Sequence, residues 1–147
     1  MKKGRIHISM QKKLNLKAPE IRLVVRKMQS LMGFDIDELT FSLVDDNTIY
    51  EINREYLKHD YPTDIITFNY SEKNQIFIDG EVLISYETAL LNAKKYDVTL
   101  ENEITRLIIH GVLHLLGFDD TTPSKKRVMK NKENALLKQI LDSENKF

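Results

Sequence analysis

The sequence predicts an α+β domain in which a mixed sheet of about four strands is covered by helices. Four segments have the alternation or β-branched composition of strands, and five have the apolar spacing of helices. Strands and helices follow one another without strict βαβ alternation, which favours the α+β class. The length of 147 residues, with 41% hydrophobic, suffices for a buried core, and we expect residues 1–147 to form a single domain.

The first half of the chain predicts two strands and two helices. Residues 5–10 alternate polar and apolar side chains with the period of a half-buried strand. Pro19 suits the first turn of a helix whose apolar stripe ends at Gly33. Residues 40–44 then have the composition of a strand, and the Asx residues at 45–47 supply an N-cap for a second helix.

The second half predicts the other two strands and three further helices. Residues 64–70 and 80–85 are rich in β-forming side chains and are separated by polar turn residues. Residues 88–96 predict a short helix, and a second helix extends from Leu100 to Gly117, a natural C-terminal stop. Pro123 opens the last helix.

Composition excludes several kinds of protein. No segment approaches the roughly 18 uninterrupted apolar residues of a spanning helix, and the N-terminal residues have no apolar region typical of a signal peptide. We therefore expect a cytoplasmic protein with no membrane partner. The absence of Cys excludes disulfides, a thiol nucleophile and Cys-based zinc sites, so a metal would have to be bound by His, Asp and Glu.

The net charge of zero hides a segregation of charge along the chain. Residues 1–30 hold nine Lys or Arg and one Glu, residues 31–120 hold six basic and eighteen acidic side chains, and residues 121–147 hold seven basic and three acidic ones. If the two ends fold onto one side, a basic surface would border an acidic middle, as expected for a polyanionic ligand. The alternative is that the cations only solvate the outer faces of helices.

Residues 107–118 carry the strongest chemical signal. His110 and His114 are the only polar side chains in this stretch, so the helix should be buried and its imidazoles need partners. Their i, i+4 spacing places both rings on one face, where two nitrogens can meet one metal ion. Gly117 permits a reversal that brings Asp119 or Asp120 back as a third ligand, and a fourth position left to water would make the site catalytic. The alternative is two separately hydrogen-bonded core histidines.

Residues 110–120 resemble a family signature. Their sequence, HGVLHLLGFDD, is similar to the pattern His-Gly-x-Leu-His-Leu-x-Gly-Tyr-Asp-His of the YbeY family of endoribonucleases that mature ribosomal RNA. Residues 52–56, 60–68 and 80–84 resemble three upstream segments of that family, in the same order. Met129 and Glu133 match the pattern of its last helix. The resemblance covers most of the chain and implies a zincin-like α+β fold.

The resemblance implies a metal site of His110, His114 and Asp120 that holds one zinc ion per chain. The family has a third His where this chain has Asp120. A carboxylate is an accepted zinc ligand, but two His and one carboxylate also suit iron or manganese. Asp119 matches the Asp that precedes the last ligand, and we expect it either to orient a histidine from the second coordination shell or to act as a plain turn residue.

The resemblance leaves the catalytic groups unassigned. The family usually has an Arg, thought to serve the RNA or its cleavage, where this chain has Leu57. Lys58 and His59 are adjacent and offer a replacement charge, whereas the alternative is that they belong to a surface loop. Thr63 and Asp64 are explained by cap and turn bonding, with a role near the metal as the alternative.

The function implied is that of a single-strand-specific, metal-dependent endoribonuclease in maturation of the 3' end of small-subunit ribosomal RNA and in ribosome quality control. The implied partners are ribosomal RNA, the small ribosomal subunit and an assembly GTPase. The alternative is a non-catalytic ribosome-assembly factor that binds RNA and keeps the metal for stability. A zinc peptidase is disfavoured because Gly111 stands where the His-Glu-x-x-His class has its general base.

Overall fold

The computed structural model describes residues 1–58, 63–71 and 77–144. The described residues confirm the predicted α+β class, with four strands and five helices. The strands are β1 (Arg5–Met10), β2 (Asp35–Val44), β3 (Ile65–Asn69) and β4 (Phe77–Ser85). The helices are α1 (Ala18–Met32), α2 (Asp46–Leu57), α3 (Tyr86–Tyr96), α4 (Leu100–Leu115) and α5 (Pro123–Glu144). Of these helices, none combines the length and the apolar composition that a bilayer crossing requires.

The strands form one mixed sheet with the order β1-β2-β4-β3. β1, β2 and β4 run parallel, and β3 pairs antiparallel with β4 at one edge. A parallel pair needs a crossover connection, and α1 provides it between β1 and β2. The edge strand β3 follows directly on Asp64, whose carbonyl oxygen accepts a hydrogen bond from the Ser85 amide at the end of β4.

β2 is longer than the sequence predicts because a β-bulge interrupts its alternation. The pairing register with β4 shifts between Ile36 and Glu38. Ile36 and Leu39 are both buried although they are an odd number of residues apart, so a strict period of two is found only beyond the bulge. The acidic residues before the bulge are held by Lys2, whose amide donates to the Asp35 carboxylate and whose ammonium lies 2.8 Å from Asp37.

Helices cover both faces of the sheet. α1, α4 and α5 contribute to the larger apolar core, which includes Val25, Ile108 and Leu136. A smaller cluster lies under α2, where Ile49 packs with Ile66 of β3. α1 contacts both α4 and α5, so the basic N-terminal and C-terminal segments of the chain meet on one side of the sheet.

α4 lies directly against the sheet because two glycines allow it. A Cβ at Gly111 would lie 2.9 Å from Val82 Cγ1, and one at Gly80 would lie 2.8 Å from the Phe68 carbonyl oxygen and 2.9 Å from Leu115 Cδ2. Distances below 3.0 Å are not tolerated by real side chains, so neither position accepts a Cβ without movement of its neighbours. This contact fixes the rotation of α4 about its axis, and the rotation decides where its histidines point.

Candidate metal centre

His110 and His114 come from one face of α4, as their spacing predicts. The helix is capped at its start by the Thr99 hydroxyl, which accepts from the Asn102 amide, and its other side chains are mostly buried. The two imidazole centroids lie 5.0 Å apart, and both rings remain partly exposed. Two partly exposed nitrogen donors therefore project from a rigid, buried helix.

The turn after α4 brings Asp120 back to the histidine pair. Gly117 has φ +104°, in the left-handed region, and the Phe118 amide bonds to the Leu113 carbonyl at 3.0 Å. This reversal places Asp120 Oδ1 3.7 Å from His114 Nε2. One ligand atom from each of His110, His114 and Asp120 lies within 4.8 Å of the others. Of the two acids that the residue pattern left open, the structure places Asp120 with the histidines.

Asp119 makes contacts within the turn. Its carboxylate accepts from the Thr121 amide at 3.2 Å and from the Thr121 hydroxyl at 2.9 Å, and it lies 3.5 Å from Lys125 Nζ. The hydrogen bonds from Thr121, with a smaller contribution from Lys125, lower the pKa of Asp119. These hydrogen bonds are typical of a turn residue, which was the alternative interpretation of Asp119. Its predicted role in orienting a histidine stays a prediction.

Glu133 is the functional candidate that the sequence prediction did not include in the site. This side chain of α5 is 4% exposed, and its Oε1 contacts His110 Nδ1. The available signal was its position, because Glu133 occupies the apolar stripe of α5 together with Met129, Leu136 and Ile140. A buried acid within an apolar stripe needs a polar partner, and here the partner is a histidine.

Arg106 ties Glu133 to a second buried acid, Glu103. Its guanidinium donates two hydrogen bonds to Glu103, from Nε at 2.9 Å and from Nη2 at 2.6 Å. Its Nη1 lies 4.0 Å from Glu133 Oε2. Glu103 is only 1% exposed, and its hydrogen bonds to Arg106 raise the pKa of that arginine. Because two guanidinium nitrogens donate to the two oxygens of one carboxylate, this is the bidentate and therefore strong form of a charge-assisted hydrogen bond.

Asp64, which is partly buried, belongs to the same group of polar side chains. The Asn92 amide nitrogen lies 3.3 Å from Asp64 Oδ2 and 3.5 Å from Glu103 Oε2. Partial burial raises the pKa of Asp64, while the positive charge of Arg106 opposes this rise. We call Asp64, Asn92, Glu103, Arg106 and Glu133 the polar cluster.

The charges around the histidines favour a cation. The polar cluster contains three carboxylates and one guanidinium, and the Asp120 carboxylate lies 3.7 Å from His114 Nε2. Burial and the neighbouring His110 lower the pKa of His114, so this imidazole is neutral at neutral pH and its nitrogen is free to bind a metal. Two imidazoles and a carboxylate are ligands that divalent transition metals accept.

A cleft of about 400 Å³ opens beside these ligands between α4 and α5. Its lining includes His110 and Asp120 of the metal-ligand candidates, together with Lys126 and Lys130 of α5. Both lysines are exposed, and among the described residues neither has an ion-pair partner. The cleft therefore has candidate metal ligands and two exposed lysines in the same lining.

Leu57, which stands where the family has its Arg, and the neighbouring Lys58 do not line the cleft. Leu57 is the last residue of α2 and is 37% exposed, and Lys58 is its C-cap with φ 59°. Neither is among the described residues that line the cleft. His59 lies outside the described residues. A role of these positions in catalysis stays a prediction.

Gly111 faces the sheet and cannot be replaced by a general base. A side chain there would meet Val82 and Ile65 of the two neighbouring strands. A Glu at 111, the position that the His-Glu-x-x-His peptidases use, would have to enter this packed interface. The structure thus gives a steric reason why this chain does not present the peptidase arrangement.

Comparison with known proteins identifies one family to which this chain is similar. The family model described as Endoribonuclease YbeY matches residues 4–141. An Endoribonuclease YbeY of Chloroherpeton thalassium is 37% identical over 141 residues, which cover 96% of this chain and 99% of the relative. An Endoribonuclease YbeY of Bacteroides fragilis is 43% identical over 102 residues, which cover 69% of this chain and 72% of the relative.

A solved structure has a similar fold. The solution structure of a protein from Thermotoga maritima superposes with a TM-score of 0.67 and covers 97% of this chain and 93% of its own. The two sequences are 24% identical in that alignment, so this likeness concerns the fold.

Proposed function

Because this chain belongs to the YbeY endoribonuclease family, we propose that it is a metal-dependent endoribonuclease that cuts single-stranded RNA. The observation that carries the metal dependence is the convergence of His110, His114 and Asp120, whose ligand atoms lie within 4.8 Å of one another. The donor set, the neutral His114 and the neighbouring carboxylates fit a divalent cation.

The proposed cofactor is one ion per chain, held by His110, His114 and Asp120, with zinc as the first candidate. Iron and manganese are alternatives because a carboxylate replaces the family's third imidazole. When bound, the ion supplies positive charge at the phosphodiester and lowers the pKa of water. Asp120 is the exposed member of the set and is one of the residues that line the cleft.

The chain's own residues perform the other steps. Lys126 and Lys130 are four residues apart on α5 and present their ammonium groups to the cleft, where they hold the phosphates that flank the cut. A single strand can follow such a cleft, and its backbone can be bent towards the metal ligands. The proton acceptor for the attacking water stays unassigned among the described residues.

The proposed biological role is maturation of ribosomal RNA, at the 3' end of the small-subunit RNA, and ribosome quality control in the cytoplasm. The small ribosomal subunit and an assembly GTPase are the proposed partners. This role rests on the resemblance of residues 52–56, 60–68, 80–84 and 110–120 to the family's segments.

The first experiment measures metal content and RNA cleavage together. Protein purified without added metal is analysed by elemental mass spectrometry and assayed on a single-stranded RNA, as wild type, His114→Ala and Asp120→Ala. We expect about one metal per wild-type chain, and loss of both metal and cleavage in the two variants. His7→Ala is the matched control, because His7 lies on β1 and pairs with Glu38.

The alternative function is a non-catalytic, metal-stabilised assembly factor that binds RNA. The observation that favours it is Leu57, which cannot replace the charge of the family's Arg. Wild-type protein that holds metal and binds RNA but does not cut it would support this alternative. A full metal content in Asp120→Ala would instead remove Asp120 from the ligand set.

A further inference from the structure

We propose that Glu133 is a positioning residue that holds the His110 imidazole with Nε2 towards the metal, and that the Glu103–Arg106 pair holds Glu133 in place. This inference rests on the proposed metal site. It concerns an interaction between α5 and α4 that the ligand motif of residues 110–120 does not contain.

The first step is the proton on His110. A neutral imidazole has one N–H and one free lone pair, on different nitrogens. Because His110 Nδ1 contacts the carboxylate Oε1 of Glu133, the proton belongs on Nδ1, which donates it to Glu133. Nε2 then keeps the lone pair that a metal requires. A carboxylate on the remote nitrogen also makes the imidazole a stronger ligand.

The second step is the rigidity of Glu133. Its side chain is buried in the stripe that contains Met129 and Leu136, and its Oε2 lies 4.0 Å from Arg106 Nη1. The two hydrogen bonds from Arg106 to buried Glu103 prevent the guanidinium from turning away. Glu103 and Glu133 thus share Arg106 as their cationic neighbour, which lowers the free-energy cost of keeping two carboxylates out of water.

The third step is the contrast with His114. Within the described ranges the His114 ring forms no hydrogen bond, and its nearest acid is Asp120 at 3.7 Å. The orientation of His110 is therefore set before a metal binds. The orientations of His114 and Asp120 would become fixed only when a metal binds. Preorganisation of one ligand reduces the entropy that is lost on binding.

The test is a Co²⁺ titration of metal-free protein, followed by visible absorption, with wild type, Glu133→Gln and Glu133→Ala. We expect affinity roughly 10- to 100-fold weaker in Glu133→Ala. Glu133→Gln should lie between this variant and the wild type, because its amide oxygen still accepts from Nδ1. Glu55→Gln is the matched control, since Glu55 is exposed on α2, and its affinity should be unchanged.

Wild-type affinity in both folded Glu133 variants would overturn the inference and leave the proposed metal site intact. Absence of Co²⁺ binding in the wild type would overturn the metal site itself, and the inference with it. A second measurement needs no variant: ¹⁵N spectra of the histidine rings in zinc-loaded wild type should show His110 protonated at Nδ1 and metal-bound at Nε2. Metal bound through Nδ1 would equally overturn the inference.

Discussion

The contribution of Asp64 to the free energy of unfolding depends on its partial burial. It precedes β3, is partly buried, and lies near Asn92, Glu103 and Arg106. Desolvation raises the pKa of its carboxyl group above that of the unfolded chain, so the native state holds this proton more tightly. As the pH rises from about 4, the unfolded-chain value, through the raised native pKa, ionisation of Asp64 lowers the free energy of unfolding.

We predict that Asp64→Asn stabilises the metal-free protein at pH 7. The amide keeps the shape and an acceptor for Asn92, but it carries no charge to desolvate. Urea unfolding at several pH values between about 4 and 7 should show a higher midpoint for the variant at pH 7, with the difference shrinking towards pH 4. The control Asp142→Asn, an exposed site on α5, should show no such pH-dependent difference. A lower midpoint at pH 7 for Asp64→Asn would contradict the prediction.

At the residue scale, spacing along the chain predicts only contacts that one helix or one turn creates. His110 and His114 share a face of α4 and were accessible from local sequence, whereas the reversal at Gly117 left Asp119 and Asp120 as alternatives until the family resemblance favoured Asp120. Glu133 and Asp64 reach the site from other elements, and their importance comes from burial, which is a property of the packed chain. The motif residue Asp119, next to the candidate ligand Asp120, instead accepts hydrogen bonds from Thr121 in the turn.

At the element scale, α5 places exposed positive charge beside the cleft. Some cations near the N-terminus instead take part in internal contacts, such as Lys2 with Asp37 and Arg26 with the Lys3 carbonyl. Lys126 and Lys130 have no ion-pair partner among the described residues and line the cleft. Counting charges along the sequence does not distinguish cations in internal contacts from cations exposed beside the cleft, because both terminal segments are basic.

We predict that Lys126→Gln/Lys130→Gln weakens binding of a single-stranded RNA oligonucleotide and reduces its salt dependence. Each lysine that contacts a phosphate releases about 0.7 counterion on a single strand, so the slope of log affinity against log salt should fall by about 1.4. Fluorescence anisotropy at several salt concentrations measures this slope. Lys132→Gln/Lys138→Gln removes the same charge from exposed positions of α5 that do not line the cleft. An equal loss in both double variants would show that only the net charge of the protein matters.

Element boundaries were predictable where caps and apolar periods coincide. The N-cap of α4 at Thr99 and the strand at residues 5–10 agree with the structure. The prediction was wrong at the start of β2, because the bulge between Ile36 and Glu38 shifts the alternation and conceals the first residues of the strand. The predicted mixed sheet is confirmed, with β3 as its antiparallel strand. Its pairing order depends on contacts between distant segments.

At the scale of the whole molecule, the proposed metal links α4 and the turn that precedes α5. A ligand that binds only the folded chain raises the free energy of unfolding, by about 2.7 kcal/mol when its free concentration is one hundred times its dissociation constant. For a chain of this size, that gain corresponds to a rise in melting temperature of roughly 5–10 °C.

We predict that a chelator lowers the melting temperature of metal-loaded wild type by an amount in this range. Differential scanning calorimetry with and without chelator measures the change. Asp120→Ala should melt near the metal-free wild type in both conditions, because its exposed side chain contributes little to packing. Identical melting of loaded and chelated wild type would show that the ion does not link folding to binding.

The close contact at Gly111 also limits the substitutions by which this protein can change. Even one added methyl group at 111 would lie 2.9 Å from Val82 Cγ1, so the Val82 side chain or the helix that carries His110 would have to move. Exposed positions on α5 can change one at a time without such a clash. A new hydrolytic chemistry that needs an acid at 111 would require coordinated changes in helix and strand together, and a lineage that acquires substitutions singly would first pass through a protein with a strained contact between α4 and β4.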